Sequence, residues 1–597
     1  MDQAGSRRWP PVSVGPPMET TNTADAPEVR RLAADEPHED APRTPTPRSA
    51  VTGLTTPHLG WWTKIHWGLL LVALVILVAA GHGQHFFRDD WAFIGGKLDA
   101  LSFPDRYLLP HNEHWSLLPI LAFRTLRASV GVGSYWPYLV LLLLLHLGVT
   151  HVLWRLMLVT GSKPIVVTVL AAIFSVLGAG AEDLVWAFQI GFVGSTLLGV
   201  SAVYLAVTGA ATWRKTGVLA SLILASVATS GVGLAYLVVV PLVLAARKWK
   251  YAVAAFGLPL LVYVMWYAIY GRSLTYPPTV SATLPVMIGA FVAVGLTATL
   301  TGYFGLNMKS LGVFLIAGVP ILATLMLASR GWIADRTLAH RLPVAMGGGA
   351  VLFFGTAALA REGLGLGMAD SSRYVYVAIA LLLPGLALLI SHGGDQHPKL
   401  IRAAVPIAIA IAVSNIFQLF TYAAQNRHEN DASRRVIVAA VDLVRSNGPI
   451  FTGQLPEPLL APDLTTTDLR SRQLDPAFVG VNPRGADRLT ASLNLQIRVT
   501  PVPHTGTLSA CSRVPRQRIT IPTSHDTAPK FVVSASASIA FTLYSAGLTS
   551  APRLIDLSKG TYVINSLRTA ADVTVESIAP ASLSECQAPS GPALGRT

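Results

Sequence analysis

The sequence predicts a mainly helical, polytopic transmembrane bundle of about eleven spans, followed by a C-terminal extracytoplasmic β-sandwich. Three observations carry this. Of the 597 residues, 52% are hydrophobic and only 13% charged, about half the charged share of a soluble globular chain. Apolar runs close to the length of a membrane-crossing helix recur from about residue 65 to about residue 421. Beyond residue 480 the pattern changes to short β-rich runs separated by Pro, Gly and Ser turns.

Residues 1–58 are rich in Pro, Thr, Asp, Glu and Arg and nearly free of large aliphatic side chains, which predicts a disordered cytoplasmic tail. The first apolar run starts too late for a signal peptide. The formal net charge of +13 is read as basic residues gathered in cytoplasmic loops. No basic, folded soluble face is visible, so nucleic acid is not expected as a partner. The two cysteines, Cys511 and Cys586, both follow the apolar region and can pair if that part is extracytoplasmic.

The spans follow from apolar runs oriented by Lys and Arg. Ile65–Ala80 is the first, and a polar stretch, 82–136, follows it. Pro137–Val159, Ile165–Leu177 and Ile190–Thr208 come next, with Lys163 and Arg214-Lys215 between or after them. Leu219–Val243 has basic clusters at both ends, which predicts a hairpin of two short helices broken near Ser230-Gly231. Tyr251–Tyr270 closes this half. The alternation puts 82–136, Glu182-Asp183 and Gly271–Pro285 outside. The three arginines of Arg330–Arg341 belong inside, which makes Pro285–Leu306 a re-entrant or interface-lying segment and leaves Leu311–Ala328 as a span. Pro343–Ala360, Tyr374–Ile390 and Ala403–Phe420 complete a membrane domain at 59–424. A count of eleven leaves the C-terminal part outside, and a count of twelve would leave it inside.

Residues 425–597 read as a soluble, β-rich domain. Val436, Ile437, Ala440, Val441 and Val444 share one helical face, stopped by Asn447-Gly448. Leu493, Leu495, Ile497 and Val499 alternate with polar residues and predict a strand. Phe531–Tyr544, Thr561–Asn565 and Val573–Ile578 are further β-rich runs.

The polar stretch after the first run holds the sharpest chemistry. It reads Arg88-Asp89-Asp90-Trp91 and then, about twenty residues on, His111-Asn112-Glu113-His114-Trp115. Carboxylates accept hydrogen bonds from hydroxyls and can take a proton from one, and indole rings stack on sugar faces. The structural alternative is a headgroup-level loop with Trp as anchor and Asp as helix N-cap. Asp89 or Asp90 could also ligate a divalent cation. Glu182 and Asp183 open the second outer loop with Trp186 and Gln189. Arg361, Glu362, Asp370, Arg373 and Tyr374 surround the loop before the tenth run. Arginine there runs against the positive-inside trend and would suit a lipid-linked phosphate, which a guanidinium holds in a bidentate fork. Pairing of Arg361 with Glu362 or Asp370 is the alternative, and Arg272 is a further basic candidate.

One N-terminal helix, a long outer loop with an Asp-Asp pair, many further helices and a C-terminal β domain together resemble the GT-C superfamily of membrane glycosyltransferases. That superfamily includes protein O-mannosyltransferases and actinobacterial arabinofuranosyl- and mannosyltransferases. The resemblance implies a polyprenyl-phosphate sugar donor, a cell-envelope acceptor and a carbohydrate-binding role for the β-rich domain at 425–597. It implies a catalytic base at Asp89 or Asp90, carrier phosphate held by Arg361 or Arg373, and inverting transfer. Arg88, His111, Glu113, His114, Glu182, Asp183, Gln189 and Tyr374 are the accompanying candidates for substrate binding. No Walker or Rossmann glycine pattern points to a nucleotide. The rival readings are a transporter or flippase of lipid-linked sugars, a polymerase or ligase of them, and a glycan-binding scaffold.

Overall fold

The structure is a computed structural model that describes residues 57–245, 248–273, 283–306, 338–361, 365–396, 398–502, 511–514, 516–521, 530–568, 571–578 and 583–586. The expected tail at 1–56, the expected span 311–328 and Glu362 lie outside these residues.

The first half runs α1 (Pro57–Gly81), α2 (Asp90–Ile94), α3 (Phe103–Leu108), α4 (Leu117–Val130), α5 (Trp136–Val159), α6 (Pro164–Ser175), α7 (Glu182–Val185), α8 (Ile190–Val207), α9 (Trp213–Val227), α10 (Gly233–Ala245) and α11 (Trp249–Ile269). Then come α12 (Leu284–Tyr303), α13 (Leu338–Arg361), α14 (Ser372–Gln396), α15 (Pro398–Arg445), α16 (Thr466–Arg470) and α17 (Gly485–Gln496). Among the described residues, eight helices are long and apolar enough to cross a membrane, and Pro164–Ser175 and Gly233–Ala245 are shorter apolar helices. This is a helical membrane protein. The hairpin of α9 and α10 breaks at 228–232, where Ser230-Gly231 sits.

Two sequence expectations are refined and one is corrected. The polar stretch 82–136 contains the helices α2, α3 and α4. Residues 285–306, expected as a re-entrant or interface-lying segment, are helical to Tyr303, and Phe291 and Gly302 lie against Tyr374 and Val375, neighbours at the start of α14. The segment lies largely in α12, a continuous helix of 20 residues that packs on α13 and α14 and buries Thr297, Thr299 and Thr301. Those hydroxyls donate to carbonyls one turn back within the helix, which lets polar side chains sit in an apolar bundle. Finally, Leu493 and Leu495 belong to a helix, not a strand. In α17, Leu489 and Leu493 lie one turn apart and enter the core of the β domain, while Ala491 and Leu495 enter the core of the bundle. Two helical faces buried in two cores read as period-two alternation over a short window.

The β region holds two five-stranded antiparallel sheets. One is ordered β1 (Ile497–Pro501), β8 (Gly560–Ser566), β4 (Lys530–Val533), β10 (Leu583–Cys586), β2 (Cys511–Val514). The other is ordered β3 (Arg516–Ile521), β9 (Ala571–Ser577), β5 (Ala537–Ser545), β6 (Leu548–Thr549), with β7 (Arg553–Leu557) also on β5. Side chains of both sheets share one hydrophobic cluster around Phe531, Phe541 and Val573.

The 48-residue α15 joins the two parts. The boundary expected at 424/425 falls inside this continuous helix. Beyond it, the chain returns to the polar stretch that follows α1. Lys97 pairs with Asp463 at 2.6 Å, the Gly96 amide donates to Asp468 at 2.6 Å, and Arg127 donates to Gln473 at 2.6 Å.

Candidate functional site

The site is built on two tight turns in the polar stretch that follows α1. Arg88 has a left-handed backbone, φ 50°, a conformation that costs a non-glycine residue about 1–2 kcal/mol. Its amide is held by the Leu460 carbonyl at 2.6 Å. Its guanidinium lies over the rings of Phe87 and Trp186 at 4.9 and 5.9 Å and 3.6 Å from Glu429. The second turn exchanges backbone hydrogen bonds between His111 and His114 at 3.0 and 3.1 Å. Asn112 supplies its left-handed corner, φ 52°, which Asn tolerates better than most residues.

The Asp-Asp pair divides its labour. Asp90 is wholly buried. Its Oδ2 accepts from the Phe87 amide at 3.1 Å and the Tyr135 hydroxyl at 3.3 Å, and Tyr135 in turn accepts from the Ala187 amide. Burial and the neighbouring Asp89 push its carboxyl well above the ordinary range. Asp90 therefore ties α2 to α5 and the segment around Ala187. Asp89 stands at the N-cap of α2, yet its side chain makes no capping bond. Its carboxyl is pushed up by burial against the pull of His111 and Arg373, with Asp463 and Arg88 also within electrostatic reach.

Around Asp89 the other candidates converge. Arg373 lies 3.6 Å from Glu182. Glu182 also accepts from Gln189 at 3.4 Å, and its amide donates to Ser372 Oγ at 3.1 Å. Arg361 lies 2.7 Å from Glu113. Burial raises the Glu113 carboxyl against the pull of Arg361. His114 accepts from the Gly231 amide at 3.3 Å, and burial lowers its pKa to about 3. His111 is lowered too, chiefly by burial and against the pull of Asp89 and Asp463. Asp183 is fully buried beneath this layer, its carboxyl pushed well up by burial and by Glu182. Arg272 lies in a separate turn, Gly271–Ser273. Among the described residues, no group of three or more His, Cys, Asp or Glu side chains is arranged to hold a metal ion.

Two cavities reach the start of α14, one at Ser372 and Val375 and the other at Tyr374. One, of about 590 Å³, is lined by Arg88, Glu182, Ser372 and a polar face of α15. The other, of about 260 Å³, is lined by Glu113, His114 and Arg361, and walled by Phe192, Tyr263, Tyr267, Phe353 and Tyr374. The α15 face, Gln418, Thr421, Tyr422, Gln425 and Glu429, escaped the sequence reading. Its signal is there: polar residues three and four apart at the end of an apolar run. Asp463 also escaped, because only the fold returns it to Asp89.

A helical membrane bundle whose carboxylates and guanidinia gather at one end, beside a polar and an aromatic cavity, is the class that fold and site define. Family models, curated proteins and solved structures offer no match to this chain.

Proposed function

We propose that the chain is an integral membrane glycosyltransferase that moves a sugar from a polyprenyl-phosphate donor to a cell-envelope acceptor with inversion. The observation that carries this is Arg373 within electrostatic reach of both Asp89 and Glu182, with Glu182 lining the larger cavity. Asp89 takes the proton of an acceptor hydroxyl. The oxygen attacks the anomeric carbon, the bond from that carbon to the phosphate oxygen breaks, and the polyprenyl phosphate leaves with the electron pair. Arg373 and Arg361 stabilise the charge that grows on it. Asp90, wholly buried and hydrogen-bonded to backbone, supports that base and does not replace it.

The same reading carries eleven crossings, an extracytoplasmic C-terminal sandwich and a cytoplasmic N-terminus. The contacts of Lys97 and Arg127 with Asp463 and Gln473 favour an odd count, since they hold the first outer stretch and the C-terminal part at one end of the bundle. Charges gathered at one end favour surface transfer over a transporter, whose ionisable groups belong near the midplane. A divalent cation is not required by this scheme.

The test is Asp89→Asn in the full chain, assayed with polyprenyl-phosphate-linked mannose and arabinofuranose. Transfer is expected to fall about 10²–10⁴-fold, the usual worth of a positioned general base, with the thermal melt unchanged. Unchanged transfer in a folded variant removes the proposed base.

A further inference from the structure

The larger cavity has a composition of its own. Along α15 it presents Gln418, Thr421 and Gln425, side chains that both donate and accept hydrogen bonds or, for Thr, do so through one hydroxyl. Tyr422 adds a ring from the same helix. Three carboxylates, Glu182, Asp370 and Glu429, face one guanidinium, Arg88. That guanidinium is already engaged with Glu429 at 3.6 Å. An acidic lining repels phosphate, whereas paired amides and hydroxyls beside an aromatic ring satisfy a neutral polyol. The smaller cavity is the opposite: aromatic walls with Arg361 at its edge. At about 590 Å³ the larger space falls in the usual ~300–1,000 Å³ range of ligand sites. Thr421 and Gln425 are exposed within it; the Thr421 hydroxyl donates to the Phe417 carbonyl and the Gln425 amide to Glu429 on the same helix, which leaves the Thr421 and Gln425 oxygens to accept and one Gln425 amide hydrogen to donate to a ligand. Asn426 differs: it is buried and donates to Gln84 at 2.7 Å.

We infer that the cavity between α12, α14 and α15 is a subsite for a neutral oligosaccharide, bound by the α15 face of Gln418, Thr421, Tyr422 and Gln425. Its role as acceptor site rests on the transfer reading above. Binding itself does not, and is measurable without turnover. With Glu182 offset by Arg373 and Glu429 by Arg88, Asp370 leaves this side net acidic and disfavours the phosphate-bearing donor there.

The experiment uses the full chain in lipid nanodiscs, with the Asp89→Asn variant to prevent turnover. Linear mannan, arabinan and galactan tri- to hexasaccharides are titrated by saturation-transfer NMR, each beside a phosphorylated counterpart. At least one neutral oligosaccharide is expected to saturate. Thr421→Val combined with Gln425→Ala is expected to weaken it about tenfold, as two lost hydrogen bonds do, with the melting temperature unchanged. The phosphorylated form should bind more weakly. No binding by any neutral member, or binding that the double variant leaves intact, overturns the subsite. Preference for the phosphorylated form overturns it as well. Oligosaccharide binding without transfer from any polyprenyl-phosphate sugar leaves the subsite standing and removes the transferase.

Discussion

Asp90 shows how one residue of a two-residue motif can be structural. Its carboxyl is raised above the ordinary 3.8 in the folded protein by burial. A raised acid binds its proton more tightly folded than unfolded. Its stability contribution is therefore complete below the unfolded pKa and is lost as pH rises from about 3.8 towards the raised folded value. Asp90→Asn keeps an acceptor for the Phe87 amide and does not ionise. The variant is expected to lose less stability than the wild type as pH rises through that window, read as melting temperature against pH in detergent. Parallel curves would show that Asp90 is already solvated. Asp89, Asp183 and Glu113 are raised in the same direction, so the wild-type slope is the sum of several groups and only the difference belongs to Asp90.

At the scale of elements, α15 matters most. Its 48 residues reach about 72 Å at 1.5 Å per residue, more than twice the ~30 Å hydrocarbon thickness. Its far half works as a strut. Arg427 donates to the Ala80 and His82 carbonyls at 3.0 and 3.1 Å. Arg434 bonds His85 at 2.9 Å and the Ala477 carbonyl at 2.8 Å, and Arg445 grips Asp475. Ala432→Pro removes a helical hydrogen bond within the strut and costs about 3 kcal/mol or more. The variant is expected to insert normally, yet to lose transfer at least tenfold and to release a C-terminal fragment early in limited proteolysis. A proteolytic pattern identical to the wild type would mean that the strut does not hold the C-terminal part in place.

Across the whole molecule, the C-terminal part is both a domain and a cover. Segment 457–478 clasps the polar stretch that follows α1, and the sheets follow. Within them Cys511 and Cys586 face each other in register across β2 and β10. Directly opposed residues of antiparallel strands lie about 4.5–5.5 Å apart at Cα, inside the span a disulfide bridges. In an oxidising compartment a disulfide is expected, with no free thiol titrated until reduction. Its loss in Cys586→Ser should cost about 2–4 kcal/mol. Two thiols reacting with a membrane-impermeant reagent only from the cytoplasmic side would reverse the proposed topology.

Sequence alone determined the membrane class, the long polar stretch after the first helix and the β-rich end, because each rests on composition or a local period. Lipid demands long apolar helices whatever the tertiary contacts. It also nominated Asp89, Glu113, Glu182, Arg361 and Arg373, since charge at the edge of an apolar run is conspicuous. Tertiary structure decided the rest. Only packing separates Asp89 from Asp90: neighbours in sequence lie in different surroundings once α2 turns one side chain into the core. Only packing converts Leu493 and Leu495 from apparent strand to helix, because each of two cores claims one of them. And only the return of the chain brings Asp463 and the polar face of α15 to Asp89, across more than 300 positions of sequence, a distance no local pattern spans.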